Sequence, residues 1–196
     1  MTLPATSTKA RAVPEDATRL AREHYLACER VDMQSLASEL GIGRTTLYRW
    51  VGDRESLISG MLSAMVAEVI ATSAAEAEGE GLDRVIDGMK RFSVTSAGFR
   101  PLRHLVRSEP ELGLRVMMAP GSAVSVAICA ALRDQLEAAR PDWQGERAEE
   151  LADVITQIGM AYVWVNIAND SEPDIERATR AMRLLVAAAD ADGRAA

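Results

Sequence analysis

The sequence is poor in aromatic side chains, with 3 Trp, 3 Tyr and 2 Phe in 196 residues, and it holds only 2 Cys and 2 His. Nowhere do Val, Ile and Thr alternate strictly with polar residues, so the pattern of a half-buried strand is missing. Cys28 and Cys129 lie far apart in apolar helical patterns. No disulfide framework is expected from them, and a reducing, cytoplasmic setting fits. His24 and His104 are the two histidines, and they fall in different parts of the chain. No Cys/His cluster has metal-ligand spacing and no nucleophile elbow is present, so neither a catalytic site, a metal nor a cofactor is expected. The opening "MTLPATSTKA" lacks the apolar core of a signal peptide. The uncharged run 154–169 contains Thr156, Gln157, Gly159 and Asn166. It reads as too short and too polar to span a bilayer, and no membrane partner is expected.

What the chain does have is a 48% hydrophobic and 26% charged composition, typical of a folded domain rather than a disordered one. Nine methionines and abundant Ala and Leu favour helices and a pliable interior. The formal net charge is −7. Residues 1–60 hold eight Lys/Arg and eight Asp/Glu, so the whole of that charge falls on the remaining 136 residues. Lys9 and Arg11 form an acid-free arm, while Arg44, Arg49 and Arg54 gather around a single acid, Asp53. A local basic edge on an acidic protein is compatible with nucleic-acid binding, because affinity depends on charges near phosphates.

The fold class expected is all-α. Pro14 opens a first helix with Glu15 and Asp16 in its first turn, and Ala17, Leu20, Ala21, Tyr25 and Cys28 share one face. Asp32 is a good N-cap for a second, short helix over 33–40 that ends at Gly41. A third short helix is expected over 44–51, and Asp53 caps a fourth running to about residue 77. After a linker over 73–83, helices are expected near 82–96, 99–109, 110–118, 122–140, 146–168 and 173–189. The domains read as a flexible arm over 1–13, a head over 14–60, a body over 61–190 and a loose tail over 191–196.

The stretch "GIGRTTLYRW" carries the functional question. Gly41 and Gly43 have the spacing of a phosphate-cradling loop. But the preceding "MQSLASEL" is helical in pattern, the third glycine position is Thr46, and the P-loop lysine is absent. A helix-turn-helix fits better: two short helices, a glycine-containing turn, and a second helix with one apolar side. On that helix Leu47, Trp50 and Val51 share the inner side, and Thr45, Tyr48 and Arg49 the outer. Gly43 caps it. Arg44 stands at its tip, where an arginine can pair with guanine, and Thr45 or Thr46 can meet a thymine methyl or a phosphate. Tyr48 can reach phosphate through its hydroxyl, and Arg54 opens the next helix, where the dipole favours an anion.

The segment "LASELGIGRTTLYRWVGDRESLISGML" (36–62) resembles the signature of the TetR family of bacterial transcriptional regulators. The Leu47-Tyr48 pair, Trp50, the Gly52-Asp53 break and Arg54 carry the likeness. Two departures stand out. Gly43 replaces the serine often found as recognition-helix cap, and the connection "ACERVDMQ" is short and lacks the usual glycine. The segment "FRPLRHLVRSEPELGLRVM" (99–117) is similar to the QsdR-like branch, whose name implies control of lactone-signal breakdown.

The resemblance implies a helix-turn-helix head on a larger helical body that dimerises and binds an effector. The patterns agree. The helix over 146–168 is apolar nearly all round, which requires burial on several sides. With the last helix it offers Tyr162, Val165, Ile175, Met182, Leu185 and Val186 as a dimer interface. For an effector cavity the candidates are Met65, Met89, Phe92, Phe99, His104, Met117, Val124, Ile128, Gln157, Met160 and Trp164, although each is equally at home in an ordinary core. Arg100, Arg103 and Arg107 read as a solvated face balanced by Glu109 and Glu111. The function expected is a homodimeric, ligand-responsive repressor of a near-palindromic double-stranded operator, released by a small, largely apolar effector such as a lactone. Its alternatives are an architectural DNA-binding protein without effector and an enzyme with an unrecognised site.

Overall fold

The computed structural model describes residues 12–119, 121–143 and 145–195. The expected arm, with Lys9 and Arg11, lies outside the described residues apart from its last positions. Among the described residues there is no strand. The helices are α1 (Pro14–Leu26), α2 (Met33–Leu40), α3 (Arg44–Val51), α4 (Arg54–Ala75), α5 (Gly81–Gly98), α6 (Arg100–Ser108), α7 (Pro110–Met118), α8 (Ala123–Ala139), α9 (Glu146–Met160), a π-helical segment (Ala161–Val165), α10 (Asn166–Ala168) and α11 (Ile175–Ala195). The chain divides into two compact units that meet between Leu57 and Ile58.

In the first unit, α1 buries Ala17, Ala21 and Tyr25 against α2 and α3. The Val13 N–H donates to Asp16 at 2.9 Å and fixes the start of α1. The turn after α1 places Cys28 at φ 59°, a left-handed conformation that an L-residue adopts at a cost of roughly 1–2 kcal/mol. This is the position where the sequence lacks a glycine. Asp32 caps α2 by accepting from the N–H groups of Gln34 and Ser35 at 3.0 and 2.9 Å. Gly41 then ends α2 at φ 67°, with the Ile42 N–H closing back on the Ala37 carbonyl at 3.0 Å. Gly52 ends α3 at φ 72° and ψ −148°, a region essentially reserved for glycine.

In the second unit, α5, α8, α9 and α11 pack on one another around the core. Close approach of α6 and α7 depends on Gly113, where an added Cβ would come within 2.9 Å of the Val106 Cα. At the α8–α9 corner Trp143 is fully buried, with the guanidinium carbons of Arg140 and Arg147 at 4.9 and 5.5 Å from its ring. Arg140 also pairs with Asp190, and Arg147 donates to the Ala189 carbonyl, which ties the corner to α11.

Two features differ from the sequence expectation. The last helix runs on to Ala195, past the expected end near 189 and through most of the supposed tail. By length and composition alone three stretches, Arg54–Ala75 and Glu146–Ala168 among them, are apolar enough to cross a bilayer. Counting only the uncharged run misses this, because a span tolerates a charge near its ends. Half of the most apolar window of Glu146–Ala168 is buried within this fold.

Candidate nucleic-acid interface and ligand cavity

Helix α3 is anchored by Leu47, which is fully buried, with Trp50 and Val51 half-buried beside it. That inner side leaves Arg44, Thr45, Tyr48 and Arg49 exposed and Thr46 half-buried. The Gly43 carbonyl accepts from Thr46 and Leu47 at 3.0 and 3.1 Å, so the helix begins tightly after the turn although its cap has no side chain. The structure thus brings the sequence candidates of α3 onto one outward surface.

The charges on that surface are distinctive. Arg19, Arg91, Arg103, Arg107, Arg133 and Arg140 each pair with a carboxylate. Arg44 and Arg49 have no such partner among the described residues. A guanidinium held in the open without a counter-charge is available to a phosphate or a base edge. Arg54 is placed differently. Its Nε donates to the Val31 carbonyl, so it clamps the α1–α2 connection to the start of α4. Beside it, Asp53 accepts from the Ser56 N–H at 2.8 Å and caps α4. The Ser56 N–H holds the Asp53 carboxyl below its ordinary range, and the Ser35 N–H does the same for Asp32.

The second unit contains a small cavity of about 20 Å³, room for a single water molecule. Met89, Phe92, Ile128, Met160 and Trp164 line it, as proposed from the sequence. Ser93, Ser96, Ile155, Thr156, Gly159, Val163 and Met182 complete the wall. The sequence carried a signal for the serines: Met89, Phe92, Ser93 and Ser96 recur with helical spacing, so hydroxyls occupy slots of the apolar face. Ser93 donates to the Met89 carbonyl at 2.9 Å. Thr156 is 2% exposed, and its hydroxyl has no hydrogen-bond partner.

The other cavity candidates fall elsewhere. Met117 and Val124 are buried in the core without lining the cavity. Phe99 and Met65 are half-buried, and His104 is exposed. Gln157 lies in an open groove of about 540 Å³ beside Ser125, Cys129, Arg133, Glu149 and Asp153. There burial, then the Asp153 and Glu149 carboxylates, raise the Cys129 thiol above its ordinary range, the opposite of an activated nucleophile. Two of the α6 arginines meet carboxylates far along the chain. Arg103 meets Glu172 at 2.7 Å and Arg107 meets Asp170 at 3.2 Å. Among the described residues no three His, Cys, Asp or Glu side chains gather to hold a metal.

One wall of the cavity is unusual. α9 widens into a π-helical segment over Ala161–Val165, a rare feature that recurs at functional sites. The side-chain amides of Asn166 and Asn169 donate to the Tyr162 and Val165 carbonyls at 2.7 and 2.8 Å, satisfying acceptors in the widened turn. Val163 and Trp164 of this segment face inward, while Tyr162 is half-buried and Val165 is 38% exposed. On α11, Met182 and Val186 are buried within the chain itself, whereas Ile175 and Leu185 are half-buried. Leu184, which the sequence reading passed over, is 73% exposed.

An exposed recognition helix held by a glycine turn, carried by a chain that also encloses an apolar cavity, defines a helix-turn-helix regulator. The family described as "Tetracyclin repressor-like, C-terminal domain" matches residues 80–187. The chain belongs to the TetR family of transcriptional repressors, all-helical proteins with a DNA-binding helix-turn-helix. Its members act as dimers and respond to small-molecule effectors. Among solved structures it is similar to the R. erythropolis transcriptional repressor QsdR, with 27% identity, a TM-score of 0.80, and 88% of this chain and 93% of that one covered. It is also similar in fold to the repressor AlkX from Dietzia sp. strain DQ12-45-1b, implicated in biodegradation of n-alkanes. That match has 22% identity and a TM-score of 0.65, and covers 92% of this chain and 97% of the other. No curated protein sequence matches the chain.

Proposed function

We propose that this protein is a cytoplasmic, homodimeric repressor that binds a near-palindromic operator through α3 and leaves it when a small, largely apolar effector enters the body cavity. The observation that carries the reading is the pair of exposed, unpaired guanidiniums, Arg44 and Arg49, on a helix whose inner side is locked by Leu47. Arg44, with Thr45 and Thr46, takes base edges; Tyr48 and Arg49 take phosphates; Gly43 lets the backbone approach closely. Arg54 positions the start of α4 and adds charge beside the α3 surface.

The dimer face of this reading consists of Tyr162, Val165, Ile175 and Leu185, joined by Leu184. Met182 and Val186 support it from behind, since both are buried in their own chain. The effector reading rests on Met89, Phe92, Ile128, Met160 and Trp164 around the small cavity. An effector larger than 20 Å³ must displace those side chains, so it favours a different packing of α5, α8, α9 and α11. Linkage then requires DNA and effector to weaken each other by the same factor. A lactone is one such molecule.

The test is selection of bound duplexes from a random DNA pool. The expected product is a near-palindrome whose half-site centres lie about one helical turn apart, roughly 34–36 Å, or a multiple of it. Recovery of no preferred sequence overturns the reading and leaves a non-specific DNA binder.

A further inference from the structure

We propose that the effector is an uncharged molecule that accepts one hydrogen bond, a ketone, ester or lactone rather than a carboxylate or an amine, and that Thr156 is the residue that selects it. This inference rests on the effector reading above.

No ionisable side chain lines the cavity. An ionised carboxylate or ammonium buried there would lose its hydration with nothing opposite in sign to replace it, a cost of many kcal/mol. The polar capacity of the wall comes from the hydroxyls of Ser93, Ser96 and Thr156 and the indole N–H of Trp164, and they are not equivalent. Ser93 has committed its proton to the Met89 carbonyl. Thr156 sits on α9, where a threonine ordinarily returns its proton to the carbonyl one turn back. Here it does not, and a hydroxyl that is 2% exposed has no hydrogen-bond partner among the described side chains and backbone groups. A donor buried without a protein acceptor is open to a ligand oxygen that accepts from it. A hydrocarbon cannot do so, and a group that can only donate leaves the Thr156 proton unmet. The rest of the wall suits the apolar remainder of such a molecule. Met89, Met160 and Met182 have unbranched side chains that can refold around different shapes.

The experiment compares neutral carbonyl compounds of six to ten carbons with the carboxylates of the same carbon number and with methylcyclohexane. Each is titrated against the whole protein, reading thermal shift and release of the selected duplex. Wild type should respond to the carbonyl series and not to the carboxylates. Thr156→Val keeps the side-chain shape and removes the donor. It should leave the free protein as stable as wild type or more so, weaken the carbonyl ligands about 3- to 10-fold, and leave methylcyclohexane binding unchanged. Thr156→Ser should restore carbonyl binding. Equal response to carboxylates overturns this inference and leaves the effector reading standing, and so does a Thr156→Val protein that binds carbonyls as well as wild type. If no compound of any series shifts stability or releases the duplex, the effector reading falls and takes this inference with it.

Discussion

Gly159 and Met182 face each other across the cavity wall so closely that a Cβ on the glycine would lie 3.3 Å from the Met182 Cε. The glycine, next to last in α9 where the helix runs on into the π-helical segment, therefore gives up helix propensity for space. Gly159→Ala regains about 1 kcal/mol of that propensity but pushes on the Met182 tip. Because the tip can swing, the expected stability change is under about 1 kcal/mol in either direction. The larger effect is on ligand: the added methyl should abolish the thermal shift caused by any cavity ligand. A variant that still shows the full wild-type shift would place binding elsewhere.

Arg44→Ala should weaken binding to the selected duplex by about 1–3 kcal/mol and relax preference at one base pair in each half-site. Arg49→Ala should weaken binding evenly across sequences and flatten the salt dependence by about one counterion. A footprinting titration at several salt concentrations separates the two. Identical behaviour of both variants would contradict the division between base and phosphate contacts.

Cys28→Gly should stabilise the head. Relief of the left-handed cysteine gains roughly 1–2 kcal/mol, and the extra freedom of glycine in the unfolded chain removes about 0.5–1. The net is a gain of up to about 1.5 kcal/mol, readable in a urea melt. Loss of stability on this change would mean that the Cys28 side chain contributes more by packing than its backbone costs.

Leu184→Glu should leave the fold intact, since the side chain is 73% exposed, and should turn the dimer into a monomer in sedimentation. Tight binding to the selected duplex should disappear with it, because two half-sites then have to be filled independently. A wild-type protein that sediments as a monomer at micromolar concentration would remove the dimer from the reading.

Acid should loosen the head through its caps. The carboxyls of Asp32 and Asp53 lie below the ordinary 3.8 because backbone N–H groups bond their charged forms. A depressed folded pKa contributes stability above the unfolded value, and that contribution fades as pH falls through the lowered one. Stability of the head should therefore be flat at neutral pH and decline below about pH 4. Asp32→Asn keeps a capping oxygen but cannot titrate, so its acid decline should be shallower than wild type in pH-dependent thermal melts.

The head was largely legible because its signals are local. Asp32, Gly41, Gly52 and Asp53 are caps and turns that act within four residues, and the split between Leu47 and Arg49 follows from helical spacing alone. The body was legible as helices but not as a site. Which side of Met117 or Val124 meets a cavity depends on how four helices are rotated about their axes, and periodicity marks only the apolar face. Hydroxyls within that face were the readable clue, at Ser93, Ser96 and Thr156, and aromatic and methionine content drew attention away from them. Arg103 and Arg107 show the same limit, because Glu172 and Asp170 lie more than sixty residues further along the chain. The widened turn at Ala161–Val165 has no sequence signal comparable to a cap.

That turn makes α9 mechanically uneven. A regular helix is a stiff rod that spreads a push along its length, but here a wider collar of five residues interrupts it. Val163 and Trp164 are on the collar's cavity side, and Tyr162 and Val165 reach its outer side. Within a single turn the segment therefore joins residues on the cavity side to residues on the outer side. A molecule in the cavity and a second chain on the outer face would thus press on the same few residues from opposite directions, each sensing the stiffness that the other imposes.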